Sequence, residues 1–467
     1  MRRIKDSLGV LALTAVLLNC LSSNVTAEPP EARALPAEEA ETSADETASL
    51  SDYTATTAIQ AGQTAPGTNA LPQLQDSAPR PRRQGAPGAG ANSPEFLRGL
   101  QLSDSGARAG RRSHQSLLAP AQFHGNVFGT SGSAAFIDPG DSKSADIPAA
   151  GGNARFSIAD NNKPLPQNRV FFDYRHYNNA IGIDETRFGT PPISRRQNFD
   201  GFLFGLEKTL GDEELASLDV RIPFSGNADA SFPDFQASGG EFGNIPVSWK
   251  QILILEETYS VVAGTTIIAP TGGDVTGQLR GTPFALNNEA WHLAPFLGGM
   301  VNPQLSDYQD GPDSFFSPLA TDLMDRTTFQ WFAAVDVPLN DQEVIVDNTT
   351  GGYRESTFVS LNTAAVLNLF SAPKADNLTR LDGSLELHYL KDVGGGDAFV
   401  SPQTGIGPMT ISQSRVSEVL NLSAGLSAEI RRNTRIQVAA VAPLTSNNSP
   451  SNRAFDGELI LSINRFF

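Results

Sequence analysis

Ala216-Ser217-Leu218-Asp219-Val220-Arg221-Ile222-Pro223-Phe224 decides the fold. Ala216, Leu218, Val220, Ile222 and Phe224 fall on one face and Ser217, Asp219, Arg221 and Pro223 on the other, a period of two that belongs to an extended strand and to no helix. The pattern recurs as Phe329, Trp331, Ala333, Val335 and Val337 against Gln330, Phe332, Ala334 and Asp336. Leu381, Gly383, Leu385, Leu387 and Tyr389 repeat it against Asp382, Ser384, Glu386 and His388.

Nine further segments read as strands: Val170 to Tyr177, Phe199 to Thr209, Ile245 to Leu255, Tyr259 to Ala269, Ala290 to Val301, Phe358 to Phe370, Val416 to Ile430, Arg435 to Ala442 and Glu458 to Phe467. The total of about twelve is even, as single-chain outer-membrane barrels require. Such barrels alternate short turns with longer external loops. With a periplasmic N-terminus, Leu210 to Glu214, Glu256 to Thr258, Ser371 to Asn377 and Arg431 to Thr434 are the short turns. Asn178 to Asn198, Ser225 to Asn244, Asn340 to Thr357 and Lys391 to Arg415 are the long loops. Asn302 to Thr328 breaks the rule, being long where a short turn is due. Either it is a periplasmic excursion or the strand count fails there. Pro295 also interrupts its strand, because proline has no N–H for the ladder.

The N-terminus sets the compartment. Met1-Arg2-Arg3-Ile4-Lys5, the apolar run Leu8 to Leu18 and Val25-Thr26-Ala27 have the order of a secretory signal peptide cleaved after Ala27. A run of about 11 residues is too short to cross a ~30 Å hydrocarbon core as a helix. A lipobox ending at Cys20 is the competing reading, but Asn19 stands where a small residue is preferred. Cleavage at Ala27 removes the chain's single cysteine, and with it disulfides and thiolate metal sites. A net charge of −17 argues against nucleic acid as a partner.

Four regions follow. Residues 1–27 form the signal; 28–117 is a disordered linker, acidic to residue 76 and then basic at Arg80, Arg82, Arg83, Arg98, Arg108, Arg111 and Arg112. Residues 118–167, with Phe123, Phe128, Phe136 and Phe156, are a pre-barrel segment and a candidate plug, and 168–467 is the barrel. The basic half of the linker reads as solvated chain or as a tether to an anionic periplasmic partner.

Leu459, Leu461 and Ile463 alternate toward a terminal Phe467, with Glu458, Ser462 and Asn464 between them. This ending resembles the C-terminal signal by which outer-membrane barrels are recognised for insertion, and implies the barrel-assembly machinery and outer-membrane lipid as partners. Arg465 departs from the pattern where an apolar residue is usual. A looser resemblance lies in Asn168-Arg169-Val170-Phe171-Phe172-Asp173-Tyr174, in Val262 to Gly272 and in Phe332 to Pro338. These segments resemble strands of the outer-membrane barrels grouped with phenol meta-degradation pathway proteins, related in architecture to long-chain fatty-acid transporters. The resemblance implies a barrel with a transport-like role and fixes no substrate.

Placing aliphatic faces in lipid puts Asp173, Arg175, Asp219, Arg221, Lys250, Asp336, Glu386, His388 and Glu458 in the lumen, because a charge on the lipid face costs about 2–4 kcal/mol at the midplane. These residues select solutes in a pore or fill a narrow barrel with salt bridges. Trp249, Trp291 and Trp331 fit an interfacial aromatic girdle or ordinary packing. An enzyme on this architecture needs a Ser/His pair on the outer surface. His114 and His124 precede the barrel; His176, His292 and His388 lie within it, and none accompanies a nucleophile motif. No catalytic site, cofactor or metal site is therefore expected. The acidic run Asp307-Tyr308-Gln309-Asp310-Gly311-Pro312-Asp313 lacks the calcium-loop spacing. The reading is an all-β outer-membrane barrel, porin-like, passing small solutes of unknown identity and including hydrophobic ones. A structural or adhesive barrel with a closed lumen, or a secreted soluble β-sandwich, are the alternatives. Deleting Phe467 is expected to reduce the heat-shifting band of the outer-membrane fraction on gel electrophoresis.

Overall fold

The computed structural model describes residues 121–123, 132–138, 141–147, 157–187, 189, 191, 193–226, 229–304, 317–404, 407–412, 418–444 and 455–467. The expected signal peptide, Cys20, the linker and the acidic run at 307–313 lie outside them.

Two strands come first, β1 (Gly132–Asp138) and β2 (Asp141–Ile147). A long hairpin follows, β3 (Arg169–Arg187) and β4 (Ile193–Leu210), and then β5 (Ala216–Ser225) and a short pair, β6 (Asp229–Phe232) and β7 (Phe235–Ser238). Next are β8 (Ile245–Leu255), β9 (Tyr259–Ala269), the pair β10 (Val275–Leu279) and β11 (Thr282–Leu286), and β12 (His292–Val301). Helix α1 (Pro318–Asp325) leads to β13 (Thr327–Pro338), the pair β14 (Gln342–Val346) and β15 (Thr349–Tyr353), β16 (Thr357–Ser371) and β17 (Leu378–Gly394). The pair β18 (Phe399–Thr404) and β19 (Gly407–Ser412) precedes β20 (Glu418–Ile430), β21 (Thr434–Pro443) and β22 (Gly457–Phe466).

Twelve of these strands, β3, β4, β5, β8, β9, β12, β13, β16, β17, β20, β21 and β22, pair antiparallel in chain order. The last pairs with the first, from Gly457 opposite Asn178 to Phe466 opposite Arg169, so the sheet closes into a barrel. Every wall strand corresponds to a segment whose period of two marks it in the sequence. Ser217, Asp219 and Arg221 are buried, while Leu218 between them is exposed. On β22, Leu459 and Ile463 are exposed outward, and Glu458, Ile460, Ser462 and Asn464 are buried inward. Phe467 lies exposed beyond the strand, with the Lys208 ammonium 5.3 Å from its ring centroid. Arg465 keeps its outward position by donating to Asn433 Oδ1 and Thr434 Oγ1 at the adjacent turn.

The structure differs from the sequence reading at one place and settles two that the reading left open. The first long loop is mostly strand, because β3 and β4 pair on past the wall from Ile181 opposite Gln197 to Glu185 opposite Ile193. The excursion after β12 holds α1, with Ser317 capping its N-terminus and Pro318 in the first turn, and the count of twelve stands. Pro295 does lie within β12, paired to Thr265 on the β9 side.

Three of the other connections form a second sheet, in the order β15-β14-β11-β10-β7-β6. Each of its hairpins lies in a long connection, after β5, β9 or β13, at the end of the barrel opposite the short turns. The hairpins pack Phe235, Phe284, Val344 and Val346 against Ile183 and Phe199 of the extended β3–β4 hairpin. The same apolar cluster reaches Ala439, Val441 and Ile460 on the inner wall, so the cap core runs into the barrel mouth. The pre-barrel hairpin belongs to this cap. β2 pairs with β3 through Ala145 opposite Ile183, and β1 with β19 through Ala134 opposite Ile411. Lys143 pins β2 to the second sheet, its ammonium 3.0 Å from Asp234 Oδ2.

Inside the wall, aromatic rings lie across glycines of the next strand. A Cβ on Gly205 would clash with the Phe171 ring, and one on Gly264 with the Phe296 ring. Gly205→Val is expected to destabilise the barrel by about 1–3 kcal/mol through overpacking, measured as a lower urea midpoint of the heat-shifting form.

Candidate functional site

The inner face of the wall is where the alternation places the polar half of each strand, and the chain itself fills the space between. Residues 157–167 and 121–123 are buried there, joined by the Phe123 N–H donating to the Asn162 carbonyl at 2.8 Å. Overlapping turns shape the segment, with Asp160 N–H donating to Ser157 O and Asn162 N–H to Ala159 O. Asn161 between them takes φ 42°, a left-handed conformation that asparagine tolerates better than most residues.

Glu207 of β4 is the centre of one cluster. Its carboxylate accepts from Arg169 Nε at 3.0 Å, stands 2.9 Å from Lys250 Nζ, and accepts from Ser217 Oγ at 2.8 Å and from the Gln167 N–H at 3.1 Å. Both cations then reach the inner segment. Lys250 donates to Asn162 Oδ1 at 3.0 Å and to the Lys163 carbonyl at 2.8 Å. Arg169 donates to Asn161 Oδ1 at 3.2 Å and to Asn464 Oδ1 at 2.7 Å, its guanidinium 4.4 Å from the Phe171 ring centroid.

A second cluster surrounds Asp160. Its carboxylate lies 3.4 Å from Arg175, which also meets Glu458 at 3.3 Å, and its carbonyl accepts from Arg221. Arg221 is held in turn by Asp219 at 2.7 Å. Asn161 donates to Asp173 Oδ1 at 2.7 Å. Burial pushes the Asp160 carboxyl above the usual carboxylate range against the opposing pull of Arg175 and Arg221, and holds the Lys163 ammonium well below the usual lysine range. Across the lumen, Gln122 accepts from Arg435 at 3.1 Å, its carbonyl accepts from Gln437 at 3.2 Å, and Gln330 donates to the Ala121 carbonyl at 2.8 Å. Phe123 packs on Phe332 and lies edge-on to His388, with ring centroids 5.6 and 6.2 Å apart.

The nine charged residues singled out in the sequence are all buried. The structure brings Asp173, Arg175, Asp219, Arg221, Lys250 and Glu458 together around the inner segment. Glu386 and His388 form a separate pair at 3.0 Å, the imidazole also meeting Asn362 Oδ1 at 2.8 Å. Asp336 lies apart, bonded to His292 at 2.9 Å. Sequence reasoning did not single out Glu207, Arg169, Asn161, Asn162, Gln122 or Arg435. The inward parity of Glu207, Arg169 and Arg435 was readable, but the amides matter only once the inner segment is docked. His176 faces outward, beside Asp200 at 2.8 Å, which also accepts from Tyr174. Trp249 and Trp291 are about half exposed on the outer face, and Trp331 is partly buried.

A closed, even-stranded antiparallel barrel whose every wall strand exposes large apolar side chains and whose buried charges gather on the inner face is a transmembrane β-barrel of the outer-membrane class. A soluble sandwich is excluded, since Leu385, Leu426, Val438 and Leu459 on adjacent strands would stand in water. No known family model matches the sequence, and no curated protein is similar to it. Among solved structures the chain is similar to an outer-membrane channel from Pseudomonas putida F1, at 11% identity over 71% of this chain and 100% of that one, with a TM-score of 0.38. It is also similar to the NanC porin, at 5% identity over 64% and 99%, with a TM-score of 0.34. The translocator domain of the autotransporter NalP from Neisseria meningitidis gives 9% over 78% and 95%, with a TM-score of 0.37. Such distant likenesses add nothing to the class, which rests on barrel closure and the apolar outer face.

Replacing Glu207 by Ala leaves Arg169 and Lys250 facing each other without their shared carboxylate. Removing one partner from a buried ion pair costs about 3–5 kcal/mol. The variant is expected to unfold at clearly lower urea concentration, and Glu207→Gln, which keeps the shape and one acceptor, to lose less.

Proposed function

We propose that the chain is a non-enzymatic outer-membrane channel for small solutes, exported by its signal peptide, inserted by the barrel-assembly machinery and held closed by its own residues 121–123 and 157–167. One observation carries this reading. Wall side chains hold the inner segment largely through its main-chain carbonyls and amide side chains, as in Lys250 to Lys163 O, Gln330 to Ala121 O and Gln437 to Gln122 O. Water replaces such bonds at nearly equal enthalpy. The segment can therefore leave its seat while the wall ladder, which no solvent in the bilayer can replace, stays intact. With the segment displaced, the lining is Arg169, Asp173, Arg175, Glu207, Asp219 and Lys250, a set of paired charges that fits small polar solutes better than hydrocarbon.

The second reading is a surface barrel with a permanently closed lumen, whose cap does the binding. It is favoured by the apolar cap core, which continues into the mouth at Val441 and Ile460.

Planar-bilayer recording separates the two. The intact protein is expected to pass little current. Asn161→Ala combined with Asn162→Ala removes the bonds to Asp173, Arg169, Asn464 and Lys250 without touching the wall, and is expected to give discrete openings while keeping the heat-dependent gel shift. Silence in both proteins, with the shift retained, would overturn the channel and leave the closed surface barrel.

A further inference from the structure

Six outward residues share one register row across the wall: Phe329, Ala365, Leu385, Ala424, Ala440 and Leu459. In the neighbouring row Leu367, Gly383, Leu426 and Val438 are paired in the same order. Long side chains wall off the short ones, and α1 adds Leu323 and Met324 as a lower bank, making an apolar groove of about 760 Å³. Strands stand about 4.8 Å apart, so a row across six of them runs about 24 Å. Leu385 and Leu459 flank the groove floor at Ala424 and Ala440, and Leu426 and Val438 lie in the next row toward the short turns, an apolar seat for part of an acyl chain.

Beneath it the short turns are basic. Lys374 lies in the turn after β16, Arg431 and Arg432 in the turn after β20, and Arg465 near the end of β22, all exposed. Asp376 and the α1 carboxylates Asp322 and Asp325 are the opposing charges on this side. The short turns on the far side of the rim are acidic instead, with Asp212, Glu213, Glu214, Glu256 and Glu257. The rim is polarised, and its cations are gathered under the groove.

The turn at Arg431 and Arg432 carries two of these cations in a conformation that arginine rarely adopts. Both residues are left-handed, at φ 52° and 63°, with the Asn433 N–H donating to the Ile430 carbonyl at 3.4 Å. That type I′ geometry is normally supplied by Asn-Gly, which adopts it with least strain. Two arginines occupy it here, and Arg432 donates across to the Pro373 carbonyl, drawing the Lys374 turn alongside. Leu426 lies about 17 Å up β20 from Arg431 at 3.3 Å per residue, close to the half-thickness of a ~30 Å hydrocarbon core. A headgroup at the arginines puts its acyl chain at the groove.

We propose that this groove and the two basic turns bind one anionic phospholipid of the leaflet at the short-turn end, its phosphate on Arg431 and Arg432 and one acyl chain seated against Ala424 and Ala440. The site is on the outer face and stands whether or not the lumen conducts.

Native mass spectrometry of the full-length protein, purified in detergent and supplied with phosphatidylglycerol or phosphatidylcholine, tests it. The intact protein is expected to keep one phosphatidylglycerol through a detergent wash that strips phosphatidylcholine. Arg431→Asn with Arg432→Gly gives the turn its preferred residues, so the heat-dependent gel shift should persist while the preference between the two lipids falls about tenfold or more, roughly 1.4 kcal/mol per tenfold. Ala424→Phe with Ala440→Phe fills the groove and should release phosphatidylglycerol in the same wash, again with the gel shift kept. Equal retention of the two lipids by the intact protein, or unchanged preference in the arginine variant, would overturn the proposal.

Discussion

Backbone satisfaction inside hydrocarbon is the constraint on which the rest of this structure depends. A strand that crosses a bilayer has no water to bond its N–H and C=O groups, so the sheet must have no free edge within the membrane. The seam between β22 and β3 meets that condition, pairing Gly457 with Asn178 at one end and Phe466 with Arg169 at the other. Closure converts the local alternation of each strand into two surfaces, one for lipid and one for the interior. Where the chain leaves the wall the condition lapses, and the loops are free to build a separate sheet.

The interior surface then sets its own problem. A narrow barrel brings Arg169, Arg175, Arg221, Lys250, Glu207, Asp219 and Glu458 into a space with little room for solvent, where an unpaired charge is costly. The wall supplies only part of the pairing. Asn161, Asn162, Gln122 and the carbonyls of Asp160 and Lys163 supply the rest from a segment that precedes the barrel in sequence. Docking of that segment thereby completes the polar shell of the buried cations, a shell that water fills when the segment leaves.

Two parts of the pre-barrel chain take different places, and each follows from composition. The stretch with Asn161, Asn162 and Lys163 can pair with charged walls. Ala145 and Ile147 have apolar side chains to bury, and they do so in the cap cluster with Phe235 and Phe284. A reading of residues 118–167 as one plug could not separate these roles, because the distinction lies in what each part meets after folding.

Much of the wall was legible because a period of two is local. The faces of Ala216 to Phe224, the outward Leu459 and Ile463 and the inward Asp173, Asp219 and Glu458 need only the alternation and the cost of charge in lipid. The short cap strands such as Phe235–Ser238 and Thr282–Leu286 are too brief to show a period, and each pairs on one side with a strand far away in sequence. Glu207 had readable parity, yet its role depends on Arg169 and Lys250 arriving from other strands. What the sequence alone determined is which segments cross and which face of each meets lipid, since those are properties of single strands. Only the tertiary structure decided what fills the lumen and what covers its mouth, because both are contacts between segments far apart in the chain, formed after the barrel has closed.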